Sequence, residues 1–201
     1  MIVSANLLSY SMSRGDKRGV EIDLSDSTYD GKDENGYLSG GLGQLTDGQE
    51  GPSNFRLDPQ NIGVKGYEWI GWKNDTGDRK PLEISFQFDS VRNFSAISLH
   101  CNNFFSKDVR VFRTATFYYS IGGRWYTSPP THYNYMRDEL MEFGRWVRVR
   151  IPYRVGQFVK LVLTFDARWI LVSEVSFESG ESFNPFAIWG QVSTAYKNVV
   201  Q

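Results

Sequence analysis

Leu82, Ile84, Phe86 and Phe88 alternate with Glu83, Ser85, Gln87 and Asp89, and this period of two constrains the fold more than any other feature of the chain. Side chains at that period point to opposite faces of an extended backbone, so one face is apolar and the other wet. Pro81 suits the start of such a strand. Related patterns recur in Ala96–Cys101, the bulky Thr114–Ser120, Val147–Ile151, the nearly continuous apolar Phe158–Phe165, and Trp169–Phe177. Gly122-Gly123 predicts a turn into Arg124-Trp-Tyr126, and hence a hairpin. No segment shows helical periodicity over three turns. The expected architecture is all-β, an antiparallel sandwich or barrel.

A chain of 201 residues suits one domain, or one domain plus a tail, and 40% hydrophobic residues with 15% aromatic supply a core. The strand pattern ends at Gly180, so residues 1–180 are expected to form the domain and 181–201 a linker or tail. A net charge of -1 gives no general pull towards nucleic acid or an anionic membrane. Arg145-Trp-Val-Arg-Val-Arg150 is the candidate basic stripe. Its arginines alternate with apolar residues, which reads as the wet face of a strand, and no nucleic-acid partner is expected. The single cysteine, Cys101, shares a face with Ile97 and Leu99 and is expected to be a buried thiol. Met1-Ile-Val-Ser-Ala-Asn lacks the basic start and long apolar run of a secretory signal, and no stretch approaches the roughly 18 apolar residues of a spanning helix. Those absences suit a soluble intracellular protein or a piece of a longer one. Asn74-Asp-Thr76 and Asn93-Phe-Ser95 are glycosylation triplets and point outward instead.

Catalysis finds little support. His100 and His132 are the only histidines. No serine lies in a nucleophile-elbow context, and neither a supported cysteine–histidine pair nor transition-metal spacing is present. Two carboxylates could serve a glycosidase, but nothing singles out a pair, so no enzyme is expected. Arg14-Gly-Asp16 spells an integrin-recognition tripeptide, although Lys17-Arg18-Gly19 behind it suggests a solvated turn. The loop Tyr126–Tyr135 is rich in aromatics. Such a loop either binds a ligand or folds back onto the sheet.

Asp26-Ser-Thr-Tyr-Asp-Gly31 and Gly40-Gly-Leu-Gly-Gln-Leu-Thr-Asp-Gly48 are too polar and too glycine-rich for a strand core or a helix. Such a loop either turns a corner or wraps a hard cation. Calcium takes oxygen ligands at roughly 2.3–2.6 Å, carbonyls included. Gln44, Asp47 and local carbonyls lie close together in sequence, and Ser173-Glu174 near the last strand could complete a shell, since first and last strands of a sandwich are often neighbours. Spacing alone leaves the turn and the calcium loop both open.

These two segments, with Gly66-Tyr-Glu-Trp-Ile-Gly-Trp72, His100-Cys-Asn-Asn103 and Ser173-Glu-Val-Ser-Phe177, occur in an order that carries a resemblance. From about Asn6 to Gly180 the chain resembles the second, discoidin-like domain of the discoidin domain receptors, which are collagen-activated receptor tyrosine kinases. The resemblance implies a discoidin-type (F5/8 C-like, galactose-binding-like) jelly-roll β-sandwich on the extracellular side of the plasma membrane. It implies a non-catalytic, calcium-binding module that packs against the adjacent collagen-binding discoidin domain of the same receptor. Collagen would be met indirectly, and a second receptor copy is a further candidate partner. The chain would then be a fragment, with the kinase elsewhere.

By position, the resemblance implies that Gln44, Asp47, the backbone carbonyl of Gln49, Ser173 and Glu174 are calcium ligands, with Tyr67 also approaching the ion. Ser25 stands where the family has a ligating asparagine. Asn74 matches a family glycosylation position, and Asn93 does not. The family joins the strand around Ala115–Phe117 to the one around Leu161 by a disulfide, and this chain has neither cysteine. The competing reading is a carbohydrate- or lipid-binding discoidin module of a secreted or cell-surface adhesion protein, with Tyr126–Tyr135 as its surface.

Overall fold

The computed structural model describes residues 7–75, 80–127 and 129–181. Its strands, in chain order, begin with β1 (Leu7–Ser13), β2 (Lys17–Arg18), β3 (Ile22–Asp23), β4 (Lys32–Glu34), β5 (Tyr37–Gly41) and β6 (Ile70–Lys73). They continue with β7 (Leu82–Asn102), β8 (Thr114–Ser120), β9 (Thr131–Asn134), β10 (Gly144–Thr164) and β11 (Trp169–Glu181). Among the described residues no helix is long and apolar enough to cross a membrane.

The runs Leu82–Asp89 and Ala96–Cys101, expected as separate strands, belong to the single 21-residue β7. Val147–Ile151 and most of Phe158–Phe165 likewise fuse into the 21-residue β10. Each of these strands serves two layers. The first part of β7 pairs with β1 and with the end of β10, so one layer runs β4-β5-β1-β7-β10-β8-β9. The second part of β7 pairs with β11 and with the start of β10, and β6 completes that layer on the far side of β11. β10 passes between the layers through register breaks after Arg150 and Gly156. Such irregularities let a strand bend while its flanks stay paired. The result is an antiparallel jelly-roll sandwich.

Aromatic rings fill the space between the layers. Phe177 on β11 packs edge-on against Phe86 and Phe88 of the opposite layer, with centroids 4.9 and 5.0 Å apart. Ile97, Leu99 and Cys101 lie in this core, as their alternation required. Burial raises the Cys101 thiol well above the ordinary thiol range, which makes it inert. Phe117 and Leu161 face each other across β8 and β10, both buried. An apolar pair thus occupies the place where the resemblance puts a disulfide.

Several local expectations are corrected. Arg124-Trp-Tyr126 is not a strand. The chain does turn after Ser120, with the Thr127 N–H bonded to the Tyr119 carbonyl, but β9 takes the edge of β8. Gly40 and Gly41 close β5, and Gln44–Thr46 form one 3-10 turn, so that segment is not all loop. Arg14-Gly-Asp16 keeps Arg14 exposed but is held at Asp16, whose N–H bonds the Gly71 carbonyl at 2.7 Å and whose carboxylate accepts the Lys73 N–H at 2.9 Å. Arg148 and Arg150 are exposed, whereas Arg145 turns to Asp138 at 2.5 Å. β11 ends at Glu181, one residue beyond the expected end of the pattern. The expected tail from 182 onward lies outside the described residues.

Candidate metal centre

β11 reaches the centre through a bulge. Val172 lies opposite Cys101 and Glu174 opposite His100, which leaves Ser173 as the extra residue. In a regular strand Val172 and Val175, three residues apart, would point to opposite faces. With the bulge both enter the core, and Ser173 and Glu174 both meet the segment that follows the 3-10 turn. Glu174 Oε2 accepts the Gly48 N–H at 2.9 Å, and Ser173 Oγ accepts the Gly51 N–H at 3.0 Å. The two distant halves expected from the sequence therefore stand together.

The electrostatics of this junction are those of uncompensated acids. Glu174 is only 8% exposed. Burial pushes its pKa up to about 8; the charges of Asp47 and Glu50 push the same way, against the Gly48 N–H. Burial also raises Asp47, and the charge of Asp26 adds to it. Among the described residues no lysine or arginine is ion-paired with Asp47 or Glu174. Two partly desolvated carboxyls with no cationic partner fit a divalent ion, which would relieve both. Among the described residues no group of three or more His, Cys, Asp or Glu side chains is placed to hold a metal. A cation here would therefore draw on neutral oxygens as well, which is calcium's chemistry rather than zinc's.

The other candidate ligands are placed as follows. Gln44 is buried; its Oε1 accepts the Ser27 N–H at 2.9 Å and its Nε2 donates to the Tyr67 carbonyl. It thus clamps the Asp26 segment to the Tyr67 turn, and its amide oxygen also meets the Ser27 hydroxyl at 3.5 Å. Asp47 Oδ1 accepts the Gln49 N–H at 2.8 Å, which orients the backbone of Gln49. Ser25 donates both its N–H and its hydroxyl to Asp23 Oδ1, at 3.1 and 2.6 Å, which leaves its oxygen lone pairs unused by that bond. Its neighbour Asp26 accepts the Gln44 N–H at 3.1 Å on Oδ1 and the Tyr10 hydroxyl on Oδ2. Gly43 is required there, because a Cβ would sit 2.5 Å from Asp26 Oδ1.

Sequence reasoning assigned no role to Asp26, although it opens the first polar motif, and none to His100 or Glu50. His100 is buried against Trp69, ring centroids 5.2 Å apart, with Nδ1 2.6 Å from Ser173 Oγ. Burial lowers its pKa, and Glu50 opposes that. Ser173, His100 and Glu50 lie in a line like a hydrolytic triad. Ser173 is fully buried and already engaged by Gly51, so its hydroxyl is not presented to a substrate.

Asn74 is half-buried after β6, its N–H bonded to the Arg168 carbonyl at 2.8 Å; Thr76 of its triplet lies outside the described residues. Asn93 sits within β7, with Oδ1 buried and without a hydrogen-bond partner. In the aromatic loop, Tyr126 packs edge-on against Tyr118, and Tyr133 and Tyr135 pack against Phe112. A cleft of about 500 Å³ lined by Asn74, Arg113, Asp166 and Arg168 shares no residue with the candidate ligands.

A jelly-roll sandwich whose last strand closes an oxygen-rich loop defines a discoidin-like domain. The family described as "Discoidin domain-containing receptor 1/2, DS-like domain" matches residues 6–179, and the chain belongs to it. Among curated relatives it is 32% identical over 88% of its length to discoidin domain-containing receptor tyrosine kinase B of Caenorhabditis elegans, covering 21% of that protein. It is 34% identical over 86% of its length to epithelial discoidin domain-containing receptor 1 of Homo sapiens, covering 19%. The chain thus spans about a fifth of these relatives. Among solved structures it is similar to the C-terminal domain of a chitobiase from Bacteroides fragilis, with a TM-score of 0.49 at 12% identity, covering 87% of this chain and 92% of that one. A fucose binding module from Streptococcus pneumoniae gives 0.46 at 12% identity, covering 82% and 100%.

Proposed function

We propose that this domain is a non-catalytic, calcium-binding extracellular module of a collagen-receptor tyrosine kinase. In this reading it supports the adjacent collagen-binding discoidin domain and transmits to the membrane-spanning part of the receptor. Kinship with the discoidin domain-containing receptors supports the setting. The observation that carries the calcium reading is the buried Glu174 beside Asp47, with no basic partner among the described residues. Glu174 and Asp47 would supply charge, and Gln44, Ser173, Tyr67 and the Gln49 carbonyl neutral oxygens. Bound calcium supplies the positive charge that ties β11 to the segment after the 3-10 turn. The residues themselves already hold that segment in register through the Gly48 and Gly51 N–H groups.

Melting the chelator-treated domain during a calcium titration tests this. Extracellular modules bind calcium at about 10⁻⁴–10⁻³ M, and ligand at ten times the dissociation constant stabilises by roughly 1.4 kcal/mol. No rise in melting temperature, or a rise that survives Asp47→Ala and Glu174→Ala, would reject the site. The carbohydrate- or lipid-binding reading needs Tyr126–Tyr135 as a free aromatic surface. The contacts of Tyr133 and Tyr135 with Phe112 weigh against it.

A further inference from the structure

Each of the four residues Gly48–Gly51 is anchored, Gln49 through its N–H on Asp47 Oδ1 at 2.8 Å. Gly48 and Gly51 are likewise held by candidate ligands, the Gly48 N–H on Glu174 and the Gly51 N–H on Ser173. The remaining anchor belongs to Glu50. Its Oε1 accepts the indole N–H of Trp146 at 2.9 Å, and its Oε2 lies 3.7 Å from His100 Nε2. Trp146 packs on the His100 ring, centroids 5.3 Å apart, while Trp69 stacks on the same ring. Glu50 is 57% exposed and Trp146 41% exposed, so neither needs the other in order to be solvated or buried.

An indole N–H on a carboxylate is a charge-assisted bond, roughly twice as strong as a neutral one. Gly48, at φ +81°, turns the chain into this segment in a conformation that glycine adopts without strain. Tethering Glu50 to β10 restricts the Gln49–Glu50 peptide, whose carbonyl is one of the expected ligands. Glu50 also adds its negative charge to that of Asp47 beside Glu174. We infer that Trp146, acting through Glu50, is a positioning residue for the calcium loop and sets the affinity for the ion without touching it. This rests on the calcium reading above, and it asks neither residue to be a ligand.

The test titrates the chelator-treated chain with calcium chloride, following tryptophan emission and melting temperature. Trp146→Phe keeps a ring in place, so the calcium-free melting temperature stays unchanged while the dissociation constant rises about tenfold, as for other outer-shell partners of metal ligands. Glu50→Ala gives a similar rise. Glu50→Gln, whose amide oxygen still accepts the indole N–H, gives a smaller one. A calcium-dependent emission change present in the wild type is reduced in Trp146→Phe. A purely structural role would instead lower the calcium-free melting temperature and leave the dissociation constant alone. Dissociation constants in Trp146→Phe and Glu50→Ala equal to the wild type overturn the inference and leave the calcium reading standing. A wild type with no calcium response overturns both. If Trp146→Phe does not fold, Glu50→Ala at its exposed position decides the matter.

Discussion

Glu174 and Gly48 are joined by a 2.9 Å hydrogen bond across 126 residues of chain. The contact closes the last strand onto the segment after the 3-10 turn, and it leaves the acceptor carboxyl nearly sealed from water. Calcium-free, this junction holds a buried acid with like charges around it. That arrangement makes the following outcomes measurable.

Glu174→Gln keeps an oxygen that accepts the Gly48 N–H and removes the charge. The calcium-free variant should melt above the wild type at pH 8, because a buried carboxylate without a cation is costly. Its melting temperature should not respond to calcium. A variant that still gains stability from calcium would place the ion elsewhere.

The pH dependence of the calcium-free domain has a definite sign. The folded pKa of Glu174, about 8, lies above the unfolded value of about 4.3. The folded state therefore holds a proton that the unfolded state has released, so stability is full at low pH and falls as pH rises towards 8. His100, lowered by burial, acts oppositely, since the unfolded histidine takes its proton first below about pH 6.5. The clean window is thus pH 6.5 to 8. Urea unfolding in chelator should show stability falling across it, on the order of 1–2 kcal/mol, and the fall should be absent in Glu174→Gln. A flat wild-type profile counts against the buried acid.

Phe177→Ala should cost about 3–5 kcal/mol. Its ring bridges the layers through Phe86 and Phe88 and also meets Phe94 of its own layer, so its loss opens a cavity that neither sheet can fill by a local shift. The measurement is the urea midpoint at constant m-value. A loss below about 1 kcal/mol would mean that the layers collapse onto the gap.

Gly51→Ala should weaken both fold and loop. A Cβ would sit 2.2 Å from Trp69 Cε2, against a buried indole with no room to retreat. Overpacking of this kind costs about 1–3 kcal/mol, and the displaced N–H loses Ser173 Oγ. The melting temperature in chelator should fall, and the calcium midpoint should move to higher concentration. An unchanged melting temperature would show that the loop can lift off Trp69.

Alternation alone determined the all-β class, the apolar face through Ile97, Leu99 and Cys101, and the solvent side of Arg148 and Arg150. Period-two patterning records which way each side chain points, and that is a local property of an extended backbone. The ordered motifs also marked the Gly40–Gly48 segment and Ser173-Glu174 as two halves of one centre, and the fold brings them together.

Pairing and register were decided only in three dimensions. Alternation could not show that β7 and β10 each run through both layers, because a bend within a strand leaves the period on either side intact. It could not show the bulge at Ser173, which turns two consecutive polar residues towards the same segment. Nor could alternation show that Ser25 donates its hydroxyl to Asp23 while its neighbour Asp26 holds the Gln44 N–H. Glu50 and Trp146, 96 residues apart, carry no mutual signal in the sequence. A hydrogen bond between distant residues depends on how sheets and loops close around a shared core, and no short stretch of chain encodes that closure by itself.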